Sequence, residues 1–261
     1  ASWGSTPCGW CPYSECAITV ALPPAAVNFA RWGAYLTSMG NYLGNAGLGA
    51  NIGVFYSIQG VVSIFMPALM GIVADRWIPA QKLLGICHGI AGALMIAAGW
   101  YGLTTDAVQF STLFTLYSLS VAFYMPTLAL SNSVAYNALD KAGLDTVKAF
   151  PPIRVFGTIG FICSMWAVDL LGYQPTAAQY AVSGGLGLLL AIYSFTLPEC
   201  PISQNSGKKS LVEALGLNAF ALFKEYRMAI FFIFSMLLGM MLQITNGYAN
   251  PFISSFGAYP E

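Results

Sequence analysis

Charge is what this sequence has least of: only 8% of its 261 residues are Asp, Glu, Lys or Arg, against 57% hydrophobic. A soluble domain carries about 25% charged residues because its surface must be solvated. A chain with a third of that fraction and a mean hydropathy of +0.67 cannot cover a water-facing surface, so a lipid-facing one is implied. Basic tracts are absent too, and the net charge is zero, which leaves no electrostatic footprint for nucleic-acid binding. Residues 1–24 lack the basic and clean apolar stretches of a cleavable signal peptide. The scattered cysteines Cys87, Cys163 and Cys200 outline no disulfide framework, and the two in apolar stretches read as small packing groups.

What the chain does have is long apolar runs. A membrane-spanning helix needs about 20 mostly apolar residues, and seven stretches qualify: 25–44, 51–74, 80–101, 107–138, 150–172, 177–197 and 228–250. The expected fold class is therefore all-α, a polytopic transmembrane helical bundle. The first span is the weakest, because Arg31 lies inside it and Asn28, Asn41 and Asn45 dilute it. Pro126, within the long fourth span, reads as a kink. Glycines recur inside the spans (Gly85, Gly89 and Gly92; Gly184, Gly185 and Gly187), where they let helix backbones approach.

The charges fix an orientation. Arg76, Lys82, Lys141, Lys148, Lys208, Lys209, Lys224 and Arg227 all fall in the connections that follow even-numbered spans, whereas the alternate loops, around 45–50, 102–106 and 173–176, hold no Lys or Arg. By the positive-inside rule the charged connections are cytoplasmic. The longest polar break is 198–227. Ser210 and Glu213 make a capping-box pattern ahead of Leu211, Leu215, Leu217, Phe220 and Phe223, the mark of an amphipathic helix lying at the interface. The expected organisation is an atypical segment (1–24), an N-terminal six-helix bundle (25–197), a cytoplasmic linker (198–227), and a seventh helix with the start of a truncated C-terminal half (228–261). Six helices, a long cytoplasmic link and a further helix is the layout of a transporter built from two six-helix halves.

Residues 71–82, Gly-Ile-Val-Ala-Asp-Arg-Trp-Ile-Pro-Ala-Gln-Lys, join the second and third spans. They resemble the loop signature of the major facilitator superfamily: a glycine, an Asp-Arg pair, then further basic residues. Gly71 would permit close packing, and Asp75 and Arg76 could pair with neighbouring helix ends and hold one face closed. An ordinary helix-ending turn with positive-inside charges fits the same residues.

Longer runs carry a closer resemblance. Phe65–Trp77, Ile86-Cys87-His88, Tyr124–Leu130, Phe150–Phe161, Ala219–Lys224 and Met228–Asn246 look like the nucleoside:proton symporter family of that superfamily, and the likeness extends from residue 32 to about 256. The resemblance implies a nucleoside transmembrane transporter of the bacterial inner membrane. It would be multi-pass, coupled to protons by symport, without a cofactor and without enzymatic activity. The partners it implies are a purine or pyrimidine nucleoside, protons and the lipid bilayer.

Arg154 follows Pro151-Pro152 and heads an apolar run. A charge at membrane depth costs about 2.5–3.5 kcal/mol on insertion scales, so it faces a cavity or partner, or else snorkels to the interface. Thr158 and Phe161, four and seven residues on, share its helix face, and together they offer donors, a hydroxyl and an aromatic face that suit a ribose and a stacked base. Gln243 and Asn246 share a face of the last span. Their amides could read a nucleobase edge or serve as interhelical glue. The resemblance places Arg154, Thr158, Phe161, Gln243 and Asn246 at the family's substrate-contacting positions, and Gly71, Asp75 and Arg76 in its gating loop. His88, the only histidine, could shuttle protons, but a packed structural role is the better expectation. Asp169 reads as an interfacial carboxylate. Asn28 and Trp32 could face the cavity.

Residues 1–31 depart from the family pattern, which calls for a smooth apolar first helix. Cys8-Gly-Trp-Cys11-Pro, Cys16, Pro23, Pro24 and Arg31 stand there instead, as a shifted start or reading frame would produce. The Cys-Gly-Trp-Cys pair resembles a redox motif, and three cysteines could bind zinc, so a membrane redox or metal protein is the reading from another class. No βαβ pattern surrounds the pair and no fourth ligand is evident. Within transport, a symporter of sugars or other small polar solutes is the alternative.

Overall fold

The computed structural model describes residues 13–197 and 217–256. Among these residues the regular structure is entirely helical. Eight α-helices run in order: α1 (Tyr13–Leu36), α2 (Met39–Asn45), α3 (Ile52–Arg76), α4 (Ala80–Thr104), α5 (Phe110–Lys141), α6 (Thr146–Leu170), α7 (Ala178–Ser194) and α8 (Tyr226–Ser254), with short 3-10 turns at Gly49–Asn51 and Leu217–Lys224. Backbone groups in lipid have no water to bond, so a helix, which satisfies them internally, is what apolar runs of this length must form. Five described helices are long and apolar enough to cross a membrane: α3 with its preceding turn, α4, α5, α6 and α8. Helix α7 is apolar but only 17 residues long, about 26 Å at the standard rise.

The first span differs from its expectation of 25–44. The helix begins at Tyr13, inside the segment set apart as atypical, so the boundary expected at residue 24 falls within α1, and Pro23 and Pro24 lie inside it. It ends at Leu36, and the chain resumes as α2 after Thr37-Ser38. The polar residues of this break are tied across to the α6–α7 connection: the Ser38 hydroxyl donates to Gln179 Oε1 (2.7 Å), and Asn41 Nδ2 donates to Gln174 Oε1 (3.3 Å). Those side chains weaken the apolar signal because they make tertiary bonds.

Helix α4 packs most extensively on α7 and then on α5, while α1 packs on α6 and α7. Small residues set these approaches. A Cβ at Gly184 would lie 2.7 Å from the Gly92 carbonyl oxygen, and one at Gly92 2.9 Å from the Gly184 carbonyl. On the other side Gly160 of α6 abuts the Ala26 carbonyl of α1, and Ser164 Oγ donates to Ala30 O (2.5 Å). With lipid as apolar as leucine, such close van der Waals packing holds the bundle together. Helices α5 and α6 each end on a glycine of positive φ, Gly143 (70°) and Gly172 (68°), whose amides close back on Asp140 O and Asp169 O.

The main core lies between α1, α2, α3, α4, α5 and α7 and is rich in tyrosine: Tyr35, Tyr117, Tyr124 and Tyr180 are all buried, with Met39, Phe55 and Met95. A second cluster, Leu83, Leu84, Cys87, Leu130 and Val134, joins α4 and α5 nearer the charged ends. Helix α8 stands apart. It docks through Gly247, packed against the Tyr56 ring and Gly40, and through Asn250 Nδ2, which donates to Thr37 O (2.9 Å), while its long apolar face is exposed. The interfacial helix expected at 210–223 is described only from Leu217, where a 3-10 helix runs to Lys224. Ser210, Glu213, Lys208 and Lys209 lie outside the described residues.

Candidate functional site

Trp32 of α1 is the hub of the site. Its ring lies 6.4 Å from Phe29, 6.5 Å from Tyr124 of α5 and 6.4 Å, edge-on, from Phe161 of α6. Edge and tilted contacts at such separations are the favoured aromatic geometries. The Arg154 guanidinium lies over the Phe29 ring, 4.0 Å from carbon to centroid, inside cation–π range. Gly157 makes room for this stack: a Cβ there would lie 2.7 Å from Phe29 Cδ2. Arg154 and Thr158 are exposed on the α6 face and Phe161 is half-buried. Arg154 and Phe161 therefore meet the Phe29–Trp32 turn of α1, and Thr158 lies between them in the sequence of α6.

On its other side Trp32 lines a cavity of about 390 Å³, shared with Tyr56, Gln59 and Ser63 of α3, Met125 and Leu128 of α5, and Gly239 and Gln243 of α8. Gln243 is half-buried, and its Nε2 donates to Tyr56 O at 3.4 Å. Gln59 Nε2 donates to the Tyr117 hydroxyl (2.5 Å). The Trp32 indole N–H and Gln59 Oε1 are buried with no hydrogen-bond partner among the described residues. A donor and an acceptor left open beside an apolar cavity suit a polar solute that brings its own complementary groups. Asn246 lies one turn from Gln243 and does not line this cavity. It meets α3 through its backbone carbonyl, which accepts from Tyr56 OH (3.3 Å). Trp32 thus joins Phe161 and, through Phe29, Arg154 on one flank to Gln243 on the other.

The floor beneath Trp32 is bonded throughout. Asn28 is buried and donates to Thr127 O (3.3 Å) and Ser131 Oγ (3.2 Å), and its own carbonyl accepts from Tyr124 OH (2.8 Å). Asn28 therefore fastens α1 to α5 instead of facing a cavity.

Arg31 is the residue the composition argument passed over. It is 1% exposed, its Nη1 lies 3.1 Å from His88 Nδ1, and its guanidinium carbon lies 4.6 Å from the Tyr124 ring centroid. The signal that singled out Arg154, a charge within an apolar run, applied equally to Arg31. His88 is fully buried.

The gating-loop residues close α3. Asp75 is exposed and Arg76 half-buried at its last turn. Among the described residues Gly71 makes no close helix contact, since a Cβ there would meet nothing within 4 Å. Asp169 is exposed at the end of α6 and accepts from Gln174 Nε2 (2.7 Å). An open groove of about 690 Å³ runs along the polar face of α5, lined by Asn132, Ser133, Tyr136, Asn137 and Asp140; it is larger than the Trp32 cavity but holds none of the expected residues. No group of three or more His, Cys, Asp or Glu could hold a metal among the described residues. Cys8, Cys11 and Cys200 lie outside them, and Cys87 and Cys163 are free thiols.

A family model described as nucleoside H+ symporter matches residues 24–259. The xanthosine permease of Escherichia coli (strain K12) is 47% identical over 233 residues, covering 88% of this chain and 54% of that protein. The nucleoside permease NupG of the same organism is 44% identical over 236 residues, covering 90% and 55%. Among solved structures, nucleoside transporter NupG as its D323A mutant matches with a TM-score of 0.81 at 42% identity, over 94% of this chain and 60% of that one. The chain spans about half the length of the curated relatives it matches, and over its own length it shares their major facilitator fold.

Proposed function

Because this chain belongs to the nucleoside H+ symporter family, we propose that the whole protein carries nucleosides across the bacterial inner membrane together with protons, alternating access about a mid-membrane site. The residues described here supply one wall of that site. Residues 25–197 act as the N-terminal six-helix bundle, 198–227 as the cytoplasmic link, and 228–261 open the second half. The protein is a carrier, not an enzyme: its side chains hold the solute and release it unchanged.

The observation that carries this reading is the Trp32 hub, with Arg154 and Phe161 on one flank and the Gln243-lined cavity on the other. An exposed guanidinium at membrane depth is tolerated where it meets a cavity, and its planar fork of donors suits ribose hydroxyls. Phe161 and Trp32 offer faces for a stacked base. Thr158 adds a hydroxyl on the same helix face, and Gln243 and Asn246 add amides that can read a base edge. Asp75 and Arg76 shape the cytoplasmic gate.

The test is uptake of labelled uridine, adenosine and xanthosine by the natural full-length gene, with Arg154→Ala alongside and free ribose as competitor. Saturable uptake that a protonophore abolishes, that ribose does not compete away and that the mutant loses is the expected result. Absence of nucleoside uptake by protein shown to reach the membrane would overturn the substrate assignment.

A further inference from the structure

Arg31 and His88 form a buried polar contact between two helices that hardly touch otherwise. Arg31 belongs to α1, which packs on α6, α7 and α5; His88 belongs to α4, which packs on α7 and α5. Both side chains are shut from solvent, at 1% and 0% exposure. Arg31 lies between His88, at 3.1 Å, and the Tyr124 ring, and its guanidinium rests against Gly187 of α7, where a Cβ would lie 3.1 Å from its carbon. Among the described residues, the charged or titratable groups that face His88 are Arg31 and, at 6.3 Å between ring centres, Tyr124.

The chemistry of this contact has one solution. A guanidinium has five N–H donors and no acceptor, so His88 Nδ1 must be the acceptor. An imidazole that accepts at Nδ1 is neutral and carries its single proton on Nε2. An imidazolium has no acceptor, and it would place a second cation 3.1 Å from the guanidinium in a low-dielectric interior. The contact therefore exists only while His88 is unprotonated. Being sealed from water, His88 can exchange its proton only in a conformation other than this one.

We propose that Arg31 and His88 form a proton-sensitive latch between α1 and α4, closed when His88 is neutral and opened when it takes up a proton. The proton comes from water and binds the Nδ1 lone pair. Arg31 keeps its charge throughout, loses its acceptor and moves off α4. The latch adjoins the proposed nucleoside wall, because the Tyr124 ring that Arg31 covers leads through Trp32 to Phe161. Arg31 is thus a positioning residue whose hold depends on the protonation of His88. The inference rests on the transport reading and assigns it a proton-responsive element.

The experiment uses the full-length protein in proteoliposomes, with His88→Gln and Arg31→Leu compared to native. Glutamine offers an acceptor oxygen at a similar reach but cannot take a proton, so the latch stays closed at every pH. Across the histidine range, about pH 5.5–7.5, native turnover should vary with pH. In His88→Gln that variation should shrink to what proton coupling itself imposes, with a maximal rate lowered at least about tenfold at the acid end, the scale of one hydrogen bond to a charged group, and with KM little changed. Arg31→Leu should lose the same part of the variation with the rate kept high, because the latch is gone. Histidine 15N spectra give a second readout, with His88 assigned as the resonance absent from His88→Gln: native protein at neutral pH should show the neutral Nε2–H form. A pH profile of uptake in His88→Gln equal to the native one overturns the latch while leaving transport intact. An imidazolium His88 in native protein at neutral pH overturns it as well. Native protein that binds no nucleoside at any pH overturns the transport reading, and the coupling with it.

Discussion

The Arg154 guanidinium stacks on the Phe29 ring at 4.0 Å, and the ring is seated where Gly157 has no side chain. One helix supplies the charge and the gap, and the other supplies the aromatic face. Arg154 is exposed, so without Phe29 its long side chain would sample many rotamers. The stack fixes the direction from which its donors approach a solute.

Replacing Phe29 with leucine should therefore weaken nucleoside binding without removing it. The cation–π contact at a partly exposed position is worth about 0.5–2 kcal/mol, which corresponds to a KM raised between about two- and thirtyfold. Phe29→Tyr should preserve binding, since its ring face is equivalent. Gly157→Ala should mimic the leucine variant, because its methyl meets Phe29 at 2.7 Å and displaces the ring. Concentration-dependent uptake distinguishes these cases, and a KM unchanged in both Phe29→Leu and Gly157→Ala would show that the stack has no part in recognition.

Gln243 bridges α8 to the Trp32 cavity with a single long hydrogen bond to Tyr56 O (3.4 Å). A bond of that length contributes little to stability, so the amide is free to turn toward a solute. Gln243→Ala should raise KM several-fold, the effect of about 1 kcal/mol of lost hydrogen bonding, while the thermal midpoint of the detergent-solubilised protein stays within about 2 °C of native. A large fall in that midpoint with unaltered KM would identify Gln243 as interhelical glue.

The helices could be read from the sequence because lipid leaves a long apolar run no other fold, and the termini of α3, α4 and α5 follow the runs closely. The first helix could not be read in the same way. Pro23, Pro24, Asn28 and Arg31 break the apolar pattern, yet their partners, Thr127, Ser131, His88 and Tyr124, come from α4 and α5, more than 50 residues along the chain. Arg154, Thr158 and Phe161 could be grouped by helical spacing, because a single face is a local property. That Phe29 and Trp32 complete their surroundings is a consequence of α1 packing on α6, which no local pattern encodes. Gly71 shows the converse: its spacing in the loop signature suggested close packing, and the helix leaves it open on that side.

Asn28 offers a test of how far one buried amide holds α1 in place. It donates to Thr127 O and Ser131 Oγ, and it also lies next to the carbonyl contact from Tyr124. Asn28→Leu removes both donated bonds and the long one that Asn28 Oδ1 accepts from Thr127 Oγ1 (3.4 Å), and leaves Ser131 and Thr127 less satisfied. Interhelical hydrogen bonds in membranes average about 0.6 kcal/mol and reach about 1.7, so the expected loss is about 1–2 kcal/mol. A thermal midpoint lowered by a few degrees, with Asn28→Gln intermediate, is the expected outcome. No change in either variant would mean that packing alone positions the helix.

The contact between α4 and α7 should be an unforgiving one. Gly92 and Gly184 face each other, each with the partner's carbonyl under 3.0 Å from where a Cβ would stand. Turning a side chain gives no full relief: Ile96 Cγ1 lies nearest the Gly184 position at 2.5 Å, but the backbone of the opposite helix obstructs both glycines as well. Gly184→Val would drive α7 off α4 along the seam that also carries Gly99 against Ala181, at a cost of about 1–3 kcal/mol for overpacking. Gly185, adjacent in sequence, has open space within 4 Å of its Cβ position. Gly185→Val should therefore leave expression and thermal midpoint near native, whereas Gly184→Val lowers both. Because the two substitutions are the same chemically and one residue apart, equal behaviour would mean that valine's cost in the helix, and not the interhelical approach, sets the effect.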